Sequence, residues 1–238
     1  MKKNVSNTVI IIYAVLVILT LSGIIYTIQI KPSLCYIPFQ PNIKKYSSYP
    51  RMCINTNKSY TGTISTSLGD INFTLYPKSA PLAVNNFYFL AKSGFYNNTI
   101  VDRVVKGFVV QAGSPNGSLT GGPGYKFQDQ INPKSLGIPS QLINAYTKEG
   151  YNYDYNVKSY PVSQYSIAMA NSGPNTNGSQ FFIAMAKESQ LNGMYTVFGK
   201  VTSGYNVLSE IQNTSVDTKN NDKPLQDIKI NSITINAD

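Results

Sequence analysis

The segment AMANSGPNTNGSQFFIA, residues Ala168–Ala184, places two short apolar runs on either side of a stretch rich in Asn and Gly. Asn-Gly steps tolerate the positive φ of a tight turn, so Pro174–Gly178 predicts a loop between two strands. Side chains alternate between the two faces of a strand, which puts Gln180 and Phe182 together on one face. We expect this pair to face a groove and the phenylalanine between them to face the core.

Short β-rich runs continue on both sides of this segment, and two helical patterns interrupt them. The predicted strands are a hairpin over 60–76, followed by 99–105, 108–111, 165–170, 180–186, 196–201 and 228–235. One helix is expected after Ser79, a good N-cap, with Pro81 in its first turn, and a second at 207–212. Many short strands around two helices, without a βαβ repeat, predict a mainly β fold that forms a closed or nearly closed antiparallel barrel.

The composition excludes several kinds of active site. The 238 residues include no His and two Cys, so neither a Ser-His-Asp triad nor an imidazole-ligated zinc site can form. Two cysteines are also too few for a four-cysteine metal site. We expect no metal and no cofactor.

The net charge of +9 is distributed unevenly along the chain. Residues 1–58 contain seven basic and no acidic residues, whereas residues 60–238 contain 13 basic and 11 acidic residues and are nearly neutral. Proteins that bind nucleic acids usually carry their excess positive charge on the domain that docks on the phosphates. The distribution therefore argues against a nucleic-acid partner.

A long uncharged run follows a short N-terminal tail at residues 1–8. The sequence VIIIYAVLVILTLSGIIYTIQI occupies 9–30, and as a helix it would span about 33 Å, enough for a hydrocarbon layer of about 30 Å. We expect one transmembrane helix that anchors the chain in a membrane. A cleaved signal peptide is the alternative, but the run exceeds a usual hydrophobic region and no A-x-A site follows it.

Residues 31–59 contain four prolines and no sustained periodicity, and they predict a spacer before a domain that begins at Tyr60. Cys35 and Cys53 could form a disulfide, which persists in an oxidising compartment. Asn-X-Ser/Thr sequons, such as those at Asn57, Asn72, Asn97, Asn116 and Asn213, point weakly in the same direction. Since lysines flank both ends of the uncharged run, these features favour an extracytoplasmic domain where charge alone does not. Unpaired cysteines and unused sequons remain the alternative.

Two further segments carry unusual detail: VDRVVKGFVVQAG at Val101–Gly113 and LNGMYTVFGKV at Leu191–Val201. Together with SGPNTNGSQFFI, and in the same order across 62–237, they resemble the signature blocks of the cyclophilin family of peptidyl-prolyl cis-trans isomerases. The resemblance implies a closed eight-stranded antiparallel barrel capped by two helices, with a surface groove that binds X-Pro peptides. Compared with the commonest members, the chain carries an insertion at about 128–161.

The resemblance also implies the site residues, position by position. Arg103 matches the family's catalytic arginine, and we place Gln111 and Asn171 with it in catalysis. The positions expected to bind substrate are Phe108, Val109, Ala170, Gln180, Phe182, Leu191 and Tyr195. Val109 stands where many members have Met, and Tyr195 replaces a His that many relatives have.

These residue types suit the isomerisation of an X-Pro bond. Rotation faces a barrier of about 18–20 kcal/mol from amide resonance, yet no bond is broken. An apolar pocket for proline and a donor that favours the twisted nitrogen are sufficient, and a guanidinium with fixed N–H groups suits the donor role. We expect an isomerase that acts on extracytoplasmic X-Pro polypeptides as a folding helper. The alternative is a binding module with the same groove but weak catalysis, and the oligomeric state is left open.

Overall fold

The computed structural model describes residues 37–238, and eight of its strands close into an antiparallel barrel. The strands are β1 (Tyr60–Thr66), β2 (Gly69–Leu75), β3 (Thr99–Val105), β4 (Val109–Ala112), β5 (Ser166–Met169), β6 (Phe181–Ala184), β7 (Val197–Ser203), β8 (Val216–Asp217), β9 (Lys223–Pro224) and β10 (Lys229–Ala237). The helices of the described part are α1 (Pro81–Lys92), α2 (Ser140–Lys148) and α3 (Tyr205–Gln212), with a 3-10 turn at Ser189–Leu191. Around the barrel the order is β1-β10-β3-β4-β6-β5-β7-β2, which confirms the predicted barrel, while β8 and β9 form a separate hairpin.

The first hairpin shows why the alternating pattern produces a barrel wall. Ile64 on β1 lies opposite Ile71 on β2, and both are buried. Phe73 and Leu75 continue the buried side at every second position of β2. Gly69 begins β2 with a φ of 129°, a conformation that a side chain rarely adopts. The turn and the two-residue period together fix the register of the two strands.

The core is an aromatic cluster centred on α1. The Phe87 ring lies 5.2 Å from the Phe181 and Phe198 rings and 5.7 Å from the Phe73 ring, measured between centroids. Helix α3 buries a second apolar face, whereas α2, in the insertion, has no buried residue. Two of the helices therefore pack on the barrel, as predicted, and the third lies at the surface.

The start of α1 differs from the prediction. Ala80 is the N-cap and Ser79 makes no capping hydrogen bond. Instead the Gln130 side chain accepts hydrogen bonds from the backbone N–H groups of Leu82, at 2.6 Å, and Ala83, at 3.4 Å. A distant residue thus satisfies the free N–H groups that a helix start leaves.

The compact unit of the barrel begins at Ile37 and not at Tyr60. We call residues 37–55 the strap because they run against α1 and are hydrogen-bonded to it. The Tyr49 hydroxyl donates to the Leu82 carbonyl at 2.8 Å, and the backbone N–H of Cys53 donates to the Asn85 side chain at 2.6 Å. The described part of the predicted spacer, residues 37–59, therefore belongs to the domain surface.

The other N-terminal predictions concern residues outside the described part of the chain. The anchor at 9–30 and the partner cysteine Cys35 lie there, so both stay predictions. Between Ile37 and Asp238, no helix has the length and apolar character needed to cross a bilayer.

Candidate active site

Three neighbouring strands bring the central site residues into one row. Arg103 on β3 lies opposite Gln111 on β4, and Gln111 lies opposite Phe182 on β6. Residues directly opposite each other on neighbouring strands project from the same face of the sheet. The donor and the apolar wall expected from the sequence therefore stand side by side on the barrel.

An apolar patch lies beside this row, separate from the main core. It contains buried residues of β4 to β7, among them Val109 and Phe182, and Phe108, Leu191 and Tyr195 pack against it while partly exposed. Phe181 and Ile183, which alternate with Phe182, belong to the main core instead. This confirms the predicted split of β6 between a groove face and a core face.

Tyr195 borders the patch and offers a hydroxyl. Its ring meets the Phe182 ring nearly edge-on, with centroids 5.4 Å apart and an interplanar angle of 84°. Burial raises the pKa of the Tyr195 hydroxyl, and the nearby Arg103 charge partly opposes this. The hydroxyl therefore stays protonated near neutral pH and can donate a hydrogen bond to a bound peptide.

A chain of amide hydrogen bonds forms the polar side of the site. The Gln111 Nε2 donates to the Gln180 Oε1 at 2.8 Å. The Gln180 Nε2 donates in turn to the carbonyls of Leu119, at 2.9 Å, and Gly121, at 2.7 Å. These bonds orient both glutamine side chains and attach the 119–124 segment, which we call the wall loop, to the barrel.

A cavity of about 300 Å³ lies between the wall loop and the Ala170–Asn171 edge, and we call it the flanking cavity. Gln111 and Gln180 line it, together with Thr176 and Gly178 of the loop predicted at 174–178. The predicted loop is therefore part of the wall of the site.

The Asn171 side chain is hydrogen-bonded to two loops that border the site. Its Nδ2 donates to the Met194 carbonyl at 3.0 Å, and its Oδ1 accepts from the Gly173 backbone N–H at 3.2 Å. The side chain thus joins two loops that border the site. A direct role of Asn171 in catalysis stays a prediction.

The Arg103 guanidinium has an acidic partner that the sequence did not reveal. Its Nε lies 3.6 Å from the Asp222 carboxylate, and both side chains are 31% exposed. The Asp222 carbonyl also accepts a hydrogen bond from the Val104 backbone N–H at 3.0 Å, which fixes the loop beside β3. No local pattern could have identified Asp222, because more than a hundred residues separate it from Arg103.

Apart from the Asp222 carboxylate beside Arg103 and Lys126 in the cavity lining, the site residues are neutral side chains and one guanidinium. In the part of the chain from residue 37 onward, no three His, Cys, Asp or Glu residues come together as a metal site. What the arrangement offers is an apolar pocket, a row of amide groups and a positively charged donor at the pocket's edge. Such groups can bind a peptide and stabilise a twisted amide without forming a covalent bond.

Comparisons with known proteins agree with this geometry. The family model described as cyclophilin type peptidyl-prolyl cis-trans isomerase matches residues 61–235. The chain belongs to the cyclophilin family. The match includes the site row and part of all eight barrel strands of this cyclophilin, from the second residue of β1 to Ile235 in β10.

Individual relatives support the same assignment. The cyclophilin is 39% identical to peptidyl-prolyl cis-trans isomerase CYP18-1 of Arabidopsis thaliana over 74% of this chain and 95% of the relative. It is 40% identical to peptidyl-prolyl cis-trans isomerase-like 3 of Dictyostelium discoideum over 74% of this chain and 94% of the relative. A crystal structure of a Cryptosporidium parvum cyclophilin type isomerase superposes with a TM-score of 0.61 and 33% identity, over 76% of this chain and 99% of the other.

Proposed function

We propose that this cyclophilin accelerates rotation about X-Pro bonds by non-covalent stabilisation of the twisted imide. The observation that carries the proposal is the row of Arg103, Gln111 and Phe182 across three paired strands. Phe182 and the apolar patch can hold the proline ring, and the Arg103 guanidinium reaches the edge of the same pocket. As the imide twists, its nitrogen becomes pyramidal and can accept a hydrogen bond that the planar form accepts poorly. A donor at this place therefore favours the transition state over both ground states.

The test is exchange NMR on a proline-containing peptide in the presence of the parent, Arg103→Ala or Lys200→Ala. Lys200 is an exposed cation on β7, so its loss matches the change in net charge without touching the site row. We expect the parent and Lys200→Ala to accelerate exchange alike, and Arg103→Ala to lose about 100-fold or more. Binding of the peptide by a folded parent without acceleration would contradict the proposal and favour a peptide-binding module.

We further propose that the domain acts on extracytoplasmic polypeptides from a membrane anchor at residues 9–30. The support is the length of this uncharged run, together with the cysteine pair Cys35 and Cys53 and the sequons whose asparagines are exposed, such as Asn57 and Asn213. In membranes prepared from cells that make the full chain, the protein should resist extraction at alkaline pH. A tag after Asp238 should be cleaved by protease added outside intact cells. A protein that is released by alkali, or whose tag is cleaved only after lysis, would contradict this location.

A further inference from the structure

The strap is attached firmly to α1 and to the turn that follows the helix. The Gln40 backbone N–H donates to the Ser93 carbonyl at 2.8 Å, and the Tyr49 hydroxyl donates to the Leu82 carbonyl at 2.8 Å. The fully buried Asn85 donates from its amide to strap carbonyls at 3.1 and 3.4 Å. The strap is thus held at several points along its length.

The same strap reaches the wall loop of the flanking cavity. The Tyr46 backbone N–H donates to the Pro123 carbonyl at 2.7 Å. At the next position of the loop, Gly124 has a φ of +95°, and a Cβ added there would lie 2.4 Å from the Tyr46 carbonyl oxygen. The Tyr49 ring packs edge-on against the Tyr125 ring, with centroids 5.9 Å apart. The two backbones are therefore in such close contact that only glycine fits between them.

On its inner side the wall loop is held by the site itself. The Gln180 amide binds the carbonyls of Leu119 and Gly121, and it also accepts a hydrogen bond from Gln111. The wall loop therefore lies between the strap and Gln180. A shift of the strap contact would change the width of the flanking cavity, where Gln180 binds the wall loop.

We propose that the strap is a specificity-determining element, because it sets the width of the flanking cavity and so selects the residue next to the X-Pro pair. The proposal rests on the proposed isomerase function. Neutral polar side chains form part of the cavity lining, among them Gln111, Thr120, Asn171 and Gln180, and Lys126 also lines it. These groups suit a flanking residue with a neutral polar side chain, which can exchange hydrogen bonds with the amides.

The experiment compares full-length Gly124→Ala and Tyr46→Ala with the control Gly137→Ala. Gly137 also has a positive φ, +66°, but a Cβ added there meets no atom within 4 Å. The control therefore places an alanine at a positive φ without the steric contact that a Cβ at position 124 makes with Tyr46. Two pairs of X-Pro peptides are used. The two peptides of the first pair carry Ala or Gln immediately before X, and the two peptides of the second pair carry Ala or Gln immediately after the proline. In one of the two pairs, we expect the Gln-to-Ala ratio of kcat/KM to fall by about threefold or more in both Tyr46→Ala and Gly124→Ala, through KM. The Ala peptides and the control should keep the parent's values.

Equal losses for the Ala and Gln peptides, or an unchanged ratio in folded variants, would overturn the proposal. Titration of the parent provides an independent measurement if a variant does not fold. Binding of the Gln peptide should shift the Tyr46 and Gly124 amide resonances more than the Ala peptide does, and equal shifts would overturn the proposal as well. A parent that accelerates neither peptide would refute the proposed function itself, a result distinct from an active parent with an unchanged ratio.

Discussion

Among single residues, Asp222 is the acidic neighbour of the Arg103 guanidinium. Since its carboxylate approaches Nε, the outer N–H groups of the guanidinium can turn toward the groove. Half-exposed ion pairs contribute about 0.5–1 kcal/mol, so we expect Asp222→Asn to lower kcat/KM by about two- to fivefold. Exchange NMR on one X-Pro peptide measures the change.

Asp227→Asn is the matched control for that variant. It removes the same charge from the same segment, but Asp227 pairs with Lys223 at 3.8 Å and not with Arg103. The Asp227→Asn control should keep the parent's kcat/KM and the parent's dependence of kcat/KM on salt concentration. If both variants lost activity to the same degree, a general charge effect would account for the result and the orienting role of Asp222 would be wrong.

Asp102, next to Arg103, makes the stability of the domain depend on pH. Burial raises the pKa of this carboxyl to about 7, although the Ser114 backbone N–H and the Lys223 charge oppose the shift. Between about pH 4 and pH 7 the folded protein therefore holds a proton that the unfolded chain releases. The free energy of unfolding contributed by Asp102 falls as pH rises through this window and is constant above it.

Asp102→Asn should remove this contribution. Denaturant unfolding at pH 4.5, 6 and 8 should show the variant gaining stability relative to the parent as pH rises. The limit is about 1.4 kcal/mol per pH unit. Parallel stability curves for the two proteins would show that Asp102 is ionised in the folded state. Asp129, whose pKa burial also raises, remains in both proteins and cancels from the comparison.

At the level of the elements, the start of α1 depends on Gln130 and not on Ser79. The Gln130 side chain is 6% exposed and caps the first N–H groups of the helix. Gln130→Ala should lower the free energy of unfolding by about 1–2 kcal/mol, whereas Ser79→Ala should change it by less than about 0.5 kcal/mol. Guanidinium unfolding of the two variants measures both values, and a larger loss for Ser79→Ala would reverse the assignment.

This contrast shows which features the sequence could predict. The strands and α1 follow from local patterns, because alternation and helical spacing are contained in neighbouring residues. The Gln130 cap joins positions about fifty residues apart, and no local pattern encodes such a contact. For the same reason, the sequence could not predict the contact of Asp222 with Arg103 or the hydrogen bonds from Gln180 to the wall-loop carbonyls. The row of Arg103, Gln111 and Phe182 was predictable because signature blocks mark it directly.

The strap was missed for a different reason. Its tyrosines have neither a two-residue nor a helical period, and its prolines are typical of a spacer. What fixes it is a set of single contacts with buried groups of the barrel, above all Asn85. An irregular segment of this kind becomes recognisable only when the surface that it covers is known.

For the whole molecule, the strap decides where a stable domain begins. A fragment of residues 60–238 would leave the buried Asn85 amide without its strap partners and would expose ring surface on Phe89 and Tyr125. Unsatisfied amide groups and lost apolar burial together should cost about 3 kcal/mol relative to a fragment of residues 37–238. For a domain of this size, this loss lowers Tm by roughly 6–12 °C.

Thermal unfolding of the two fragments, followed by circular dichroism at equal concentration, tests this boundary. The proline pocket is built from β4, β6 and the segment around Tyr195, and the strap does not contribute to it. Below its transition the shorter fragment should therefore keep its activity on an X-Pro peptide with small flanking residues. Equal Tm values would show that the strap adds no stability. Loss of activity toward the small peptide in a folded 60–238 fragment would show that the strap supports the proline pocket as well as the flanking cavity.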